Sequence, residues 1–219
     1  MCISYCKNIS NGERSVIEEL HNTWNIKKEN ITGDIFTGYE GVYDQLNYTK
    51  EDYDNDPDNV INNIFNVYRG VNLVPIIYYT ESGIIKAIRE FANTKYNTIQ
   101  SDVLGLGNNA GQTINRFLFP NMMTAEPKGR GSNSLKDRFY NDAKLRRAIR
   151  ICFEFRDGNN LVYPTAIRRA LELVTGENVT NFKAQNAKAI VEHLCPVLWG
   201  NIYDYSAGYG GRLLGITSS

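Results

Sequence analysis

The eight residues from Asp204 to Gly211, DYSAGYGG, are the part of this sequence most suited to holding a small ligand. A short apolar run, Ile202–Tyr203, reads as a strand ending at Asp204. Small residues follow, namely Ser206, Ala207, Gly208, Gly210 and Gly211, and then RLLG reads as the start of a helix. A strand that turns tightly into a helix aims backbone N–H groups into a crevice at the strand's carboxyl end. Glycines there let the main chain approach a ligand closely and adopt positive φ. The chemistry expected is therefore binding and orientation rather than nucleophilic attack.

Spacing narrows the ligand. The dinucleotide fingerprint spaces its glycines G-x-G-x-x-G, whereas this turn runs Gly208-x-Gly210-Gly211 after Asp-x-Ser-Ala. A second glycine-rich stretch, DVLGLGNNAGQTINRF, does not meet the phosphate-loop pattern either. Counted back from Gly111, Leu106 stands where the first glycine belongs, and Gln112 replaces the lysine that holds the outer phosphates. It reads as a turn.

About twenty residues before the glycine turn lies VTNFKAQNAKAIVEHL, Val179 to Leu194, an Asn-Phe-Lys segment opening a helix. Lys183 and free helix N-terminal amides suit a carboxylate. Taken with Asp204-x-Ser-Ala-Gly-x-Gly-Gly-Arg-Leu-Leu-Gly, this pair of segments resembles phage-type S-adenosylmethionine-dependent DNA methyltransferases that methylate base amines. The resemblance is specific over Val179 to Gly215, looser over residues 115–178, and absent from residues 1–110. It implies a class I methyltransferase domain with S-adenosylmethionine as cofactor and DNA as partner. Asp204, Ser206, Ala207, Gly208, Gly210 and Gly211 would wrap the methionine and ribose, while Asn181, Phe182 and Lys183 would meet the carboxylate end. Such enzymes are similar to one another in a Pro-Pro-aromatic loop that stacks on a flipped base. No Pro-Pro pair occurs in this chain. The expectation is an N-terminal part of a longer enzyme, with no catalytic residue of its own, that binds cofactor poorly alone.

The remaining sequence must supply the scaffold and a substrate surface. With 219 residues and 42% apolar content, a buried core is affordable and wholesale disorder is excluded. Net charge is zero, but its distribution is uneven. Residues 1–66 hold 12 acidic and 5 basic side chains; residues 128–169 hold 11 Lys and Arg against 4 acidic ones. The basic segment is a candidate phosphate-facing surface through Lys128, Arg130, Lys136, Arg138, Arg146, Arg147 and Arg150. A non-catalytic nucleic-acid-binding module, a phage base-hypermodification protein and a protein using another adenine cofactor are the competing readings.

Helical spacing predicts elements in SNGERSVIEELHNTW, from Asp58 onward, in SGIIKAIREFANTKY, in two short helices from Ser134, and in TAIRRALELVTGEN behind Pro164. VNLVPIIYYT reads as a buried strand bent at Pro75, and YTKEDYDNDPDNV as a loop leading into a helix. The fold class expected is α+β. A mainly helical N-terminal region leads into the first strand and helix of a truncated Rossmann-like domain. The segments are 1–115 of unknown role, 116–178 basic and helical, and 179–219 opening the cofactor domain. Cys2, Cys6, Cys152 and Cys195 read as reduced thiols, because no second ligand pair accompanies Cys2 and Cys6. No secretory leader or roughly 20-residue apolar span is visible, so the expected setting is a cytoplasm without membrane or metal partners.

Overall fold

The computed structural model describes residues 18–95, 99–100, 103–104, 111–127, 133–155, 161–175, 179, 181–195, 202, 208 and 210–219. It is an α+β chain, mainly helical. In chain order the helices are α1 (Lys50–Asn55), α2 (Pro57–Val71), α3 (Glu81–Asn93), α4 (Gln112–Leu118), α5 (Asn121–Thr124), α6 (Leu135–Tyr140), α7 (Asp142–Glu154), α8 (Pro164–Leu173), α9 (Ala184–Leu194) and α10 (Gly211–Thr217). The strands are two residues each: β1 (Ile35–Phe36), β2 (Tyr78–Tyr79), β3 (Ile99–Gln100) and β4 (Val103–Leu104). They form two-stranded ladders, β1 with β2 and β3 with β4; the latter is antiparallel and sets Ile99 opposite Leu104. No described helix is long and apolar enough to cross a membrane.

The chain groups into two compact units that are discontinuous in sequence. One comprises His21–Tyr78 and Asn121–Val179. Its core is the packing of α2, α6 and α8 against α7. Helix α2 begins where Asp56 accepts from Asn59 N at 3.2 Å and Pro57 occupies the first turn. Val60, Ile61, Ile64, Phe65 and Tyr68 fall on one face and are buried. Helix α7 starts at an Asn141 cap and buries Leu145, Ala148, Ile149, Cys152 and Phe153. The expected start at Ser134 is a full capping box with Asp137, and Pro164 is the first residue of α8.

A row of polar contacts runs beside the α2–α7 seam. Arg150 lies 3.8 Å from Asp58, Arg146 donates to Asn62 at 2.6 Å and covers the Phe65 ring, and Arg69 donates to Asp142 at 2.8 Å. The order of partners makes the two helices antiparallel. Buried tyrosines tie loops to this core: Tyr39 donates to Leu73 O, Tyr68 to Val162 O at 2.7 Å, and Tyr78 to Val74 O at 2.6 Å.

Two segments of this unit differ from expectation. KEDYDN forms helix α1 rather than loop, because Thr49 and Asp52 make a reciprocal capping box. Of VNLVPIIYYT, only Tyr78–Tyr79 is strand; a tight turn from Val74 O to Ile76 N bends the chain at Pro75. The helix expected from Ser10 is described from residue 18 to 23, and Trp24 after it is buried.

The other unit contains the described residues of Tyr79–Pro120 and Thr180–Ser219 with the described end of Met1–Leu20. Helix α3 is capped by Thr80 and packs on α4; α9 and α10 pack on each other, and α10 also meets α4. This second unit carries the glycine turn.

Candidate functional site

The expected bend into a helix at the end of the chain is present. Gly208 and Gly210 have φ of +59° and +78°, and Gly210 is the residue from which α10 springs. Those backbone angles are the ones an L side chain resists. Gly208 is exposed whereas Gly210 and Gly211 are buried, so the turn runs from solvent to interior.

What surrounds the glycines links the two segments singled out above. A Cβ on Gly211 would stand 2.0 Å from the Phe182 carbonyl oxygen and 2.9 Å from Asn181 Nδ2. One on Gly215 would stand 2.2 Å from Ala184 O. One on Gly210 would meet the Phe119 ring at 2.2 Å. The main chain of α10 therefore lies directly on the Asn-Phe-Lys segment and the first turn of α9. Only residues without a Cβ allow that approach.

Lys183 is the N-cap of α9, in extended conformation and with no side-chain cap bond. A lysine side chain has no acceptor to offer the first amides of α9, and a helix N-terminus favours an anionic group. Phe182 is 38% exposed at the rim, with the Arg212 guanidinium 5.8 Å from its ring centroid. One turn along, Lys188 is buried and paired with Glu192 at 2.5 Å. Asp204, Ser206 and Ala207 lie outside the described residues. Ile202, expected in the strand before them, is exposed and is not itself in a strand, and Tyr203 lies outside the described residues.

Protein-family models, curated proteins and solved structures give no match to this chain.

Two buried side chains of the same unit escaped sequence reasoning. Asn115 in α4 and Gln185 in the first turn of α9 are 2% and 3% exposed, and among the described residues their carboxamide oxygens have no hydrogen-bond partner. Leaving such an oxygen buried and unpartnered costs about 1–3 kcal/mol. Nothing in the types or spacing of these residues marks them. Among the described residues no group of His, Cys, Asp and Glu is arranged to hold a metal ion.

The basic candidates fare unevenly. Lys128 and Arg130 lie outside the described residues. Arg138 is a correction: it is 1% exposed, with Nε donating to Asn133 O at 2.9 Å and Nη1 to Leu171 O at 3.2 Å, so it serves the core and cannot meet a phosphate. Arg146 is engaged with Asn62 and Phe65, Arg147 pairs with Glu154 at 2.9 Å, and Arg150 sits near Asp58. Lys136 is half-buried on α6. The protein's own acids thus offset much of the basic segment.

Arg138→Ala is accordingly expected to lower stability by about 2–4 kcal/mol, since two carbonyls lose a charged donor and a packed stem vanishes. Urea unfolding monitored by circular dichroism checks this. An unchanged midpoint would return Arg138 to the surface.

Proposed function

We propose that the glycine turn and the start of α9 form the cofactor corner of an S-adenosylmethionine-dependent methyltransferase acting on a base amine in DNA. The observation that carries this reading is the contact of Gly211 with Asn181 and the Phe182 carbonyl. Two segments separated by about twenty residues, each suited by its residue types to the same ligand, meet in one place.

The donor set fits that cofactor. Lys183 and the α9 N-terminus suit its carboxylate, the Phe182 ring offers an apolar face at the rim, and the turn at Gly208 supplies backbone without side chains. On this reading Asp204, Ser206 and Ala207 complete the cradle, and the surrounding architecture is Rossmann-like. When bound, the sulfonium group supplies an electrophilic methyl. The residues of this chain bind and orient it and exclude water from one side. The loop that accepts the amine hydrogens and stacks the base has no counterpart in these 219 residues, so the chain is assigned binding rather than proton transfer. Lys136, Arg147 and Arg150, with Lys128 and Arg130, remain the candidates for phosphate contact.

A thermal-shift comparison of S-adenosylmethionine, NAD and ATP, made on the product of the whole reading frame, tests the assignment. A ligand at 100 times its Kd stabilises by about 2.7 kcal/mol. A rise in Tm with S-adenosylmethionine alone is the expected result. A rise with NAD and none with S-adenosylmethionine overturns it.

A further inference from the structure

A cavity of about 300 Å³ opens in the unit that holds α2, and all of its lining residues belong to that unit. That volume stands at the lower end of the range of small-molecule sites. The lining comes from three places: around the turn Lys28–Asn30, around the start of the turn Glu40–Leu46, and from Gly70 and Val71 at the end of α2. The first two are tied together, because Asn30 Nδ2 donates to Gly38 O at 3.3 Å. The Glu40 carboxylate fixes the second: Thr37 N donates to Oε1 at 2.6 Å and Gly38 N to Oε2 at 2.9 Å. Glycines keep the space clear. A Cβ on Gly41 or on Gly70 would meet nothing within 4 Å, so the lining there is bare backbone before open space.

The lining carries both signs of charge. Glu29 and Glu40 are acidic, and the C-terminus of the fifteen-residue α2 adds a partial negative charge. Lys27 is basic. Among the described residues, the side chains of Lys27 and Glu29 make neither an ion pair nor a hydrogen bond, so both are available to a ligand. No aromatic ring is among the described lining residues, which disfavours a stacked base or a caged quaternary ammonium. Carboxylates and the last carbonyls of a helix suit N–H donors, and a primary ammonium has three. Lys27 suits a carboxylate. We propose that this cavity binds a small non-aromatic zwitterion, a free α-amino acid. Its ammonium meets Glu29 and the end of α2, and its carboxylate meets Lys27. The site is independent of the cofactor reading above and stands or falls without it.

Calorimetric titration of the whole chain with L-alanine, L-serine, L-leucine and L-glutamine tests the assignment. At least one of them is expected to bind saturably. Its N-acetyl and carboxamide derivatives, each lacking one charge, are expected to bind about 10- to 100-fold more weakly. Glu29→Gln and Lys27→Met, both at exposed positions, are expected to weaken the amino acid by a similar factor. Gly41→Val, whose side chain would enter the open space, is expected to abolish binding. Circular dichroism establishes that each variant is folded. No binding by any of the four amino acids overturns the proposal. Undiminished binding by either charge variant, or by Gly41→Val, also overturns it, since the ligand would then lie elsewhere.

Discussion

Gly211→Ala is expected to destabilise the protein by about 3 kcal/mol and to abolish the thermal shift given by S-adenosylmethionine. The added methyl would stand 2.0 Å from the Phe182 carbonyl oxygen, a backbone atom with no rotamer to yield. Either α10 must lift off or the Asn181–Lys183 segment must move. Overpacking of this kind costs about 1–3 kcal/mol, and more where the backbone is the obstacle. The same displacement separates the two segments that the functional reading needs together. Gly70→Ala is the control. Gly70 sits within α2 with open space where a Cβ would go, so alanine there is expected to stabilise by about 0.5–1 kcal/mol. Urea midpoints of both variants, at unchanged m-value, make the comparison. A Gly211→Ala protein as stable as wild type, with ligand binding retained, would mean that α10 does not rest on Phe182.

The second large effect is alkaline unfolding. Burial holds the phenols of Tyr39, Tyr68 and Tyr78 well above the ordinary tyrosine range, with neighbouring tyrosines adding to it. Each hydroxyl donates to a backbone carbonyl, and a phenolate there would face that oxygen with no proton between them. Because the folded pKa lies above the unfolded one, the stability these groups contribute is fully present below about pH 10 and is lost as pH rises further. Each group lowers stability by about 1.4 kcal/mol per pH unit, so three together give a slope near 4 kcal/mol per unit. Against a typical 5–15 kcal/mol, that is enough to unfold the unit holding these tyrosines above about pH 11. Tyrosinate absorbance from these residues should rise together with the loss of helical signal. Full ionisation near pH 10 with the helices intact would show the three rings to be solvated.

Most helices could be read because their ends are written in local chemistry. Asp56 before Pro57, Ser134 with Asp137, and Pro164 each announce a start that needs no partner from elsewhere. Helix α1 was obscured because Asp and Asn weigh toward loop, while the reciprocal bonds of Thr49 and Asp52 turn the same residues into a cap. Arg138 was misplaced by counting charges along the chain. Leu135, Arg138 and Phe139 lie at helical spacing, so the arginine shares the face that is buried. The glycine turn was legible because glycines have few reasons to cluster before a helix. That it would rest on Phe182 and Asn181 was not, since close approach depends on backbone placement. Asn115 could not be read at all. Its burial follows from how α4 packs on its neighbours, which no local pattern records.

The row of polar contacts between α2 and α7 has a consequence for assembly. Its signs alternate: acid on α2 faces base on α7 at one end, and the roles are exchanged where Arg69 meets Asp142. If α7 slid one helical turn, about 5.4 Å, in one direction, Arg146 would come against Arg69 and cation would oppose cation. A turn the other way would set Asp142 against the Phe65 ring. Apolar faces alone tolerate such slippage, since leucine and isoleucine pack nearly as well one turn along. The charges act as a vernier that admits a single alignment of the pair, although each exposed pair adds little to stability.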